Sequence, residues 1–175
     1  GIATDVFLVC SFGLLGPTKQ NHRLVDAWLA SPLAANATCR LVFVGQNHPA
    51  GYGRDLARNV AGRGQGRIEI TGWTTAQQFN DYLDAADLAV QLRSISRGET
   101  SAAVLDCMNH GVATIVNANG SMAYLPPDAV HLLPDEFDDA LLAGALHSLW
   151  ADPAQRAALG ARARAFVHRE HDPAA

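Results

Sequence analysis

Residues 6–31 read VFLVCSFGLLGPTKQNHRLVDAWLAS, and this stretch decides the fold. Residues 6–12 form an apolar run closed by Gly13. Such a run marks a strand buried on both faces, as in a parallel sheet. Across residues 21–31, Leu24, Val25, Trp28 and Leu29 recur at helical spacing, which predicts a helix with one apolar stripe. A buried strand, a glycine-bearing loop and then a helix make the first part of a βαβ unit.

The same alternation continues along the chain. Residues 40–44 read as a second buried strand closed by Gly45, and 52–63 as a weaker helix. A short strand over 68–71 ends at Gly72, and Thr75 caps a helix running to Ala85. Residues 88–92 give a fourth strand, and 100–110 a helix stopped by Gly111 as a glycine cap. Strands over 114–117 and 130–133 follow. Two Ala-rich helices, 137–150 and 153–168, close the chain, the second with Pro153 just inside its start. Right-handed crossovers then predict an α/β fold: a doubly wound, Rossmann-like parallel sheet of about six strands with helices on both faces. Residues 1–175 read as one domain, with no repeat and no dividing linker.

Composition narrows the function. Hydrophobic residues make up 49% of the 175-residue chain and charged residues 17%, with a formal net charge of -4. A core of ordinary size is affordable, so disorder is excluded, and the charge offers nothing to nucleic acid. The three cysteines, Cys10, Cys39 and Cys107, form no CxxC, zinc or disulfide pattern, which fits a reducing, cytoplasmic compartment. No apolar run has the length of a membrane span, and no basic leader precedes one. The chain opens on Gly-Ile-Ala-Thr-Asp without an initiator Met, so it is expected to be a piece of a longer protein. Of 13 Lys and Arg residues, only one is Lys, at position 19.

Ligands of open α/β sheets bind at the carboxyl ends of the strands. The first loop there, residues 11–21, holds Gly13, Gly16 and Lys19. It lacks both GxxxxGK[ST] and GxGxxG, so neither a P-loop nor a dinucleotide fingerprint is present. Lys19 either places an ammonium over a bound anion or is a solvated surface lysine. The loop of residues 93–101 holds Arg93, Arg97, Gly98, Glu99, Thr100 and Ser101 and leads into a helix start, where backbone N–H groups favour phosphate. Thr100 or Ser101 would be the N-cap. Glu99 opposes phosphate by charge, and can equally be a carboxylate interacting with the helix dipole. Asp106 lies in the apolar helix AAVLDCM; it suits a ribose diol, or is a solvent-facing acid. His22, His48, His110, His131, His147, His168 and His171 show no ligand spacing. No GxSxG elbow appears. Of the tryptophans, Trp28 and Trp150 read as core, whereas Trp73, after Gly72 at a strand end, could wall a base pocket.

Taken in order, the segments resemble the C-terminal, donor-binding domain of a GT-B fold, family 4 (group 1) glycosyltransferase. FLVCSFGLLGPTKQNHRLVDAWL resembles the family's first strand, phosphate-binding loop and helix. LVFVGQN resembles its second strand, and IEITGWTTAQQFNDYLDAADLAVQL the segment from base pocket to fourth strand. RGETSAAVLDCMNHGVATIVNANGSMAYLP resembles the segment with the two acidic residues.

The resemblance implies roles residue by residue. Lys19 matches the lysine at the donor diphosphate and, with Glu99, carries the catalytic roles. Asp106 matches the acid that holds the ribose, one methylene shorter than the usual Glu. Gly98 stands where the first acid is expected, so Glu99 arrives one residue late. Leu14 replaces an Arg often found in the first loop, and Arg97 or Arg93 is expected to stand in for it. Ser101 and Ala102 would offer N–H groups to phosphate. Gly13, Gly72, Trp73, Arg97, Gly98 and Thr100 complete the expected donor-binding set. The loop from Asn119 to Ala123 lacks the acid often found after the family's glycine pair. The implied partners are a nucleotide-sugar donor and, through an N-terminal domain outside this chain, a glycan or lipid-linked acceptor, with peripheral membrane association of the longer protein. No metal or other cofactor is expected. Hexosyl transfer in polysaccharide or lipopolysaccharide assembly, with retention, is the implied activity. The alternatives are half of a nucleotide-sugar epimerase, or a non-catalytic interaction domain of the same fold.

Overall fold

The structure is a computed structural model that describes residues 5–170; residues 1–4 of the opening and His171 lie outside the described residues. Six strands alternate with helices in the expected order: β1 (Phe7–Phe12), α1 (Asn21–Ala30), β2 (Cys39–Val44), α2 (Gly51–Arg63), β3 (Ile68–Ile70), α3 (Ala76–Ala85), β4 (Leu88–Gln91), α4 (Ala102–Asn109), β5 (Ala113–Asn117), β6 (His131–Leu133), α5 (Asp139–Ala151) and α6 (Pro153–Glu170). All neighbouring strands are parallel, in the order β3-β2-β1-β4-β5-β6. The edges β3 and β6 are three residues each.

Alternation along β1 explains the two layers. Val9 joins Leu24, Val25 and Trp28 of α1, Leu56 of α2 and Leu142, Leu146 and Leu149 of α5. Leu8, Cys10 and Phe12 turn to the other face, against Phe79, Tyr82 and Leu83 of α3 and Cys107 of α4. Successive side chains of a strand point to opposite faces, so a strand apolar at every position needs cover on both. α6 reaches both layers: Leu159 packs in the first, while Ala163 and Val167 meet Val104 and Met108 of α4. All three cysteines are free and buried. Burial pushes the Cys107 thiol up to about 12 and raises Cys10 well above its usual value, so neither is a nucleophile near neutral pH.

Three details differ from the sequence reading. α4 begins at Ala102 rather than Thr100, because Ser101 is its extended N-cap (φ -79, ψ 104) and its carbonyl accepts the first helical N–H groups, from Val104 and Leu105. The Ser101 side chain makes no capping bond. α5 begins at Asp139, after Asp138 accepts from the Leu141 N–H at 2.7 Å. Short 3-10 turns over Pro17–Lys19, Pro32–Ala35 and Gly120–Tyr124 fill segments read as plain loop. The Gly111 cap is as expected, with φ +71.

Candidate functional site

The chain leaves β1 for α1 on one face and leaves β4 for α4 on the other, although β1 and β4 are neighbours. Their loops therefore diverge and open a crevice at the carboxyl edge. The β1–β4 ladder covers only Val9↔Leu88 and Cys10↔Ala89. Beyond it the buried Gln91 amide takes over: oriented to satisfy both groups, it accepts from the Phe12 N–H at 3.0 Å and donates to the Phe12 carbonyl at 3.3 Å.

The first loop is fixed from below. Leu15 N–H donates to the Gln46 carbonyl (2.9 Å), and Gly16 N–H to Asn21 Oδ1 (3.0 Å). Gly13 and Gly45 touch backbone to backbone: a Cβ on Gly45 would lie 2.1 Å from the Gly13 oxygen. The Pro17–Lys19 turn then ends on Gln20 in the left-handed region (φ 52), which starts α1. This folds Lys19 back over the end of β1, so that a Cβ on Gly13 would sit 3.8 Å from Lys19 Nζ.

The second loop brings charges of both signs near that ammonium. Arg93 is held by its backbone: its N–H donates to Asn117 Oδ1 (2.8 Å), and its carbonyl accepts from Asn117 Nδ2 (2.7 Å) and Gln20 Nε2 (2.7 Å). Asn117 Nδ2 also donates to Asp135 Oδ1 at 3.2 Å, as does Asn119 Nδ2 at 2.9 Å. The Arg93 side chain is 19% exposed and its Nη1 lies 3.0 Å from Glu99 Oε1. Glu99 Oε2 accepts the Arg97 N–H at 2.8 Å, and Ser121 Oγ donates to the Glu99 carbonyl at 2.9 Å. Ser94 N–H ties the two loops by donating to the Thr18 carbonyl.

Charge states follow from these contacts. Burial lowers the Lys19 pKa; the Arg93 cation lowers it further and the Glu99 carboxylate raises it. Hydrogen bonds from the backbone N–H groups of Glu99 and Arg97 hold the Glu99 carboxyl below its usual range, with the charges of Arg93 and Arg97 adding to this. The crevice thus holds two basic side chains, Lys19 and Arg93, and one carboxylate, Glu99. α4 starts directly after it, and the N–H groups of Ala102 and Ala103, in its first turn, have no acceptor within the helix. Free N–H groups at a helix start favour an anion.

The expected residues separate into groups. Gly13, Lys19, Arg93 and Glu99 come together around the ends of β1 and β4, and Ser101 and Ala102 follow Glu99 at the start of α4. Gly98 and Thr100 are exposed in the second loop, and the exposed Arg97 joins through its backbone N–H. Asp106 lies one turn into α4, exposed as a residue but with a carboxyl raised by partial burial, an effect that His110 opposes. Gly72 and Trp73 stand farther along the edge, after β3. Trp73 is 74% exposed and so is not core. Asn117 and Gln20, which clamp Arg93, gave no signal in the sequence beyond being polar residues beside a strand end and a loop. Among the described residues no group of three or more His, Cys, Asp or Glu could hold a metal ion, and no helix is long and apolar enough to cross a membrane.

A family model described as glycosyl transferase-like matches residues 20–175. The chain belongs to that family. Solved structures share the fold of this glycosyl transferase-like chain at low identity. The C-terminal domain of a glycosyl transferase group 1 family protein (LpcC) from Francisella tularensis has a TM-score of 0.83 and 17% identity, over 95% of this chain and 87% of that one. Anabaena HepE in complex with UDP has a TM-score of 0.84 and 19% identity, over 96% of this chain and 45% of that one. Sucrose-phosphate synthase from Thermosynechococcus elongatus has a TM-score of 0.78 and 24% identity, over 95% of this chain and 42% of that one. This chain thus spans less than half the length of the latter two. Among curated proteins none matches it in sequence.

Proposed function

We propose that this chain is the donor-binding domain of a retaining glycosyltransferase and that the crevice between β1 and β4 holds a nucleoside-diphosphate sugar. The observation that carries the reading is the Lys19 ammonium, folded over Gly13 and within electrostatic reach of Arg93 and Glu99 in the loop that leads into α4, in a chain of the glycosyl transferase-like family. UDP bound to HepE, a protein of the same fold, makes a uridine nucleotide the first ligand to try.

The chemistry is that of a departing anion. As the glycosidic bond breaks, negative charge gathers on the diphosphate. Lys19 and the N–H groups of Ala102 and Ala103 are fixed before the reaction and meet that charge without reorganising. A donor of this kind contributes about 2.7–4 kcal/mol to the transition state. These groups neutralise the leaving group themselves, so the reading is metal-independent. In it Glu99 faces the donor sugar, Asp106 the ribose, and Gly72 and Trp73 the base. The acceptor, a glycan or lipid-linked sugar in polysaccharide or lipopolysaccharide assembly, meets the donor through another part of a longer protein that works in the cytoplasm at the membrane face.

Calorimetry on this chain tests the reading with UDP, GDP, ADP and UDP-glucose, each with and without EDTA. Binding of at least one nucleoside diphosphate that EDTA leaves unchanged is expected. Failure of all four to bind would overturn the donor-site reading.

A further inference from the structure

Lys19 is not the only cation at the crevice. Arg93 is more tightly placed than a surface arginine: three hydrogen bonds fix its backbone, and its side chain is largely buried. Its charge is already engaged, by one oxygen of Glu99 at 3.0 Å. The other oxygen of Glu99 sits on a backbone N–H, that of Arg97. A carboxylate gripped by a guanidinium and a backbone N–H, with an ammonium in electrostatic reach, occupies the surroundings that a phosphate oxygen would want.

We propose that Arg93 is a second diphosphate-binding cation and that Glu99 is its resident anion in the free protein, displaced when the diphosphate arrives. This rests on the donor-site reading above. Two neighbouring cations repel each other, and Glu99 relieves that repulsion in the empty crevice. A diphosphate brings more charge than one carboxylate and takes over both cations. Glu99 can leave because its side chain is 45% exposed and because the loop before it is open: a Cβ on Gly98 would meet nothing within 4 Å. Displacement then frees a carboxylate beside the sugar only once the diphosphate is bound.

The test is calorimetry on this chain with inorganic pyrophosphate and with UDP. Glu99→Gln removes the competing charge while keeping an oxygen for the Arg97 N–H. It is expected to tighten both ligands about two- to fivefold, the range of a half-exposed ion pair. Arg93→Met is expected to weaken both about ten- to a hundredfold, and adding Glu99→Gln to it restores little. Arg93→Lys, which keeps the charge, serves if Arg93→Met does not fold, and there Glu99→Gln again tightens binding. UDP binding that Glu99→Gln leaves unchanged or weakens overturns this inference and leaves the donor-site reading standing. Pyrophosphate that binds as well as UDP, with the Glu99→Gln gain intact, overturns the nucleotide reading and leaves the Arg93–Glu99 exchange. No binding of either ligand to the wild type or to Glu99→Gln overturns both.

Discussion

The two loops that flank the crevice are built on different principles. The loop after β1 is held mainly by backbone: N–H groups to carbonyls of the neighbouring strand end, a glycine pressed on a glycine, and a 3-10 turn closing on a left-handed Gln20. The loop after β4 is anchored at its two ends. Arg93 is clamped by Asn117 and Gln20, and Glu99 is held by Ser121. Between them the loop closes on its own side chains, with Arg97 N–H on Glu99 and Gly98 N–H on Ser96 Oγ. Backbone contacts to a sheet persist through ligand exchange, whereas side-chain contacts in an exposed loop are replaced at small cost. A fixed cation on one side and an exchangeable anion on the other are what a site needs in order to tell an empty crevice from a filled one.

The most damaging change to the rigid side is Gly45→Ala. Its Cβ would meet the Gly13 oxygen at 2.1 Å, with φ at +156, so a loss of roughly 3 kcal/mol or more is expected in urea denaturation. A loss under 1 kcal/mol would show that the first loop yields as easily as the second. Next comes Lys19→Ala, expected to weaken UDP binding by about 1.5–3 kcal/mol with little change in the thermal midpoint. The same lysine gives two opposite pH slopes. Its folded pKa lies below the ordinary value of about 10.4. As pH rises through the window between the two, the folded state has already lost a proton that the unfolded state keeps, so stability of the free chain rises. UDP affinity falls over the same window. Lys19→Arg abolishes both slopes; slopes of equal sign would mean that another group is titrating.

Asn117→Leu strikes the anchor shared by the two strands. It leaves the half-buried Arg93 N–H without its partner and is expected to cost about 1–3 kcal/mol of stability, with a further loss of UDP affinity that Asn117→Ala reproduces. The smallest effect is that of Ser121→Ala, about 0.5–1.5 kcal/mol. It is expected to be confined to faster amide exchange over residues 96–100, and exchange spreading to residues 13–20 would erase the distinction between the loops.

The sheet was legible because both-face burial leaves long apolar runs that glycines close, and β1, β2 and β4 fall within a residue of their expected bounds. The 3-10 turns were not, since three or four residues carry no period. The helix after β4 was placed two residues early because Thr100 and Ser101 look alike as caps, and only the carbonyl bonds of Ser101 decide between them. In the site, Lys19 and Glu99 stood out by type and place. That Arg93, rather than Arg97, is anchored beside the strand ends did not, because the anchor is made by Gln20 and Asn117, which lie 73 and 24 residues from Arg93 in sequence. No local pattern encodes a contact of that span.

The edges of the sheet set how the chain behaves among its own copies. β3 and β6 have three residues each, and all the longer strands lie between them. An outer strand that short offers too few free N–H and C=O groups to seat a foreign strand in register. The sheet therefore ends itself, and a concentrated solution of this chain is protected against growth by strand addition.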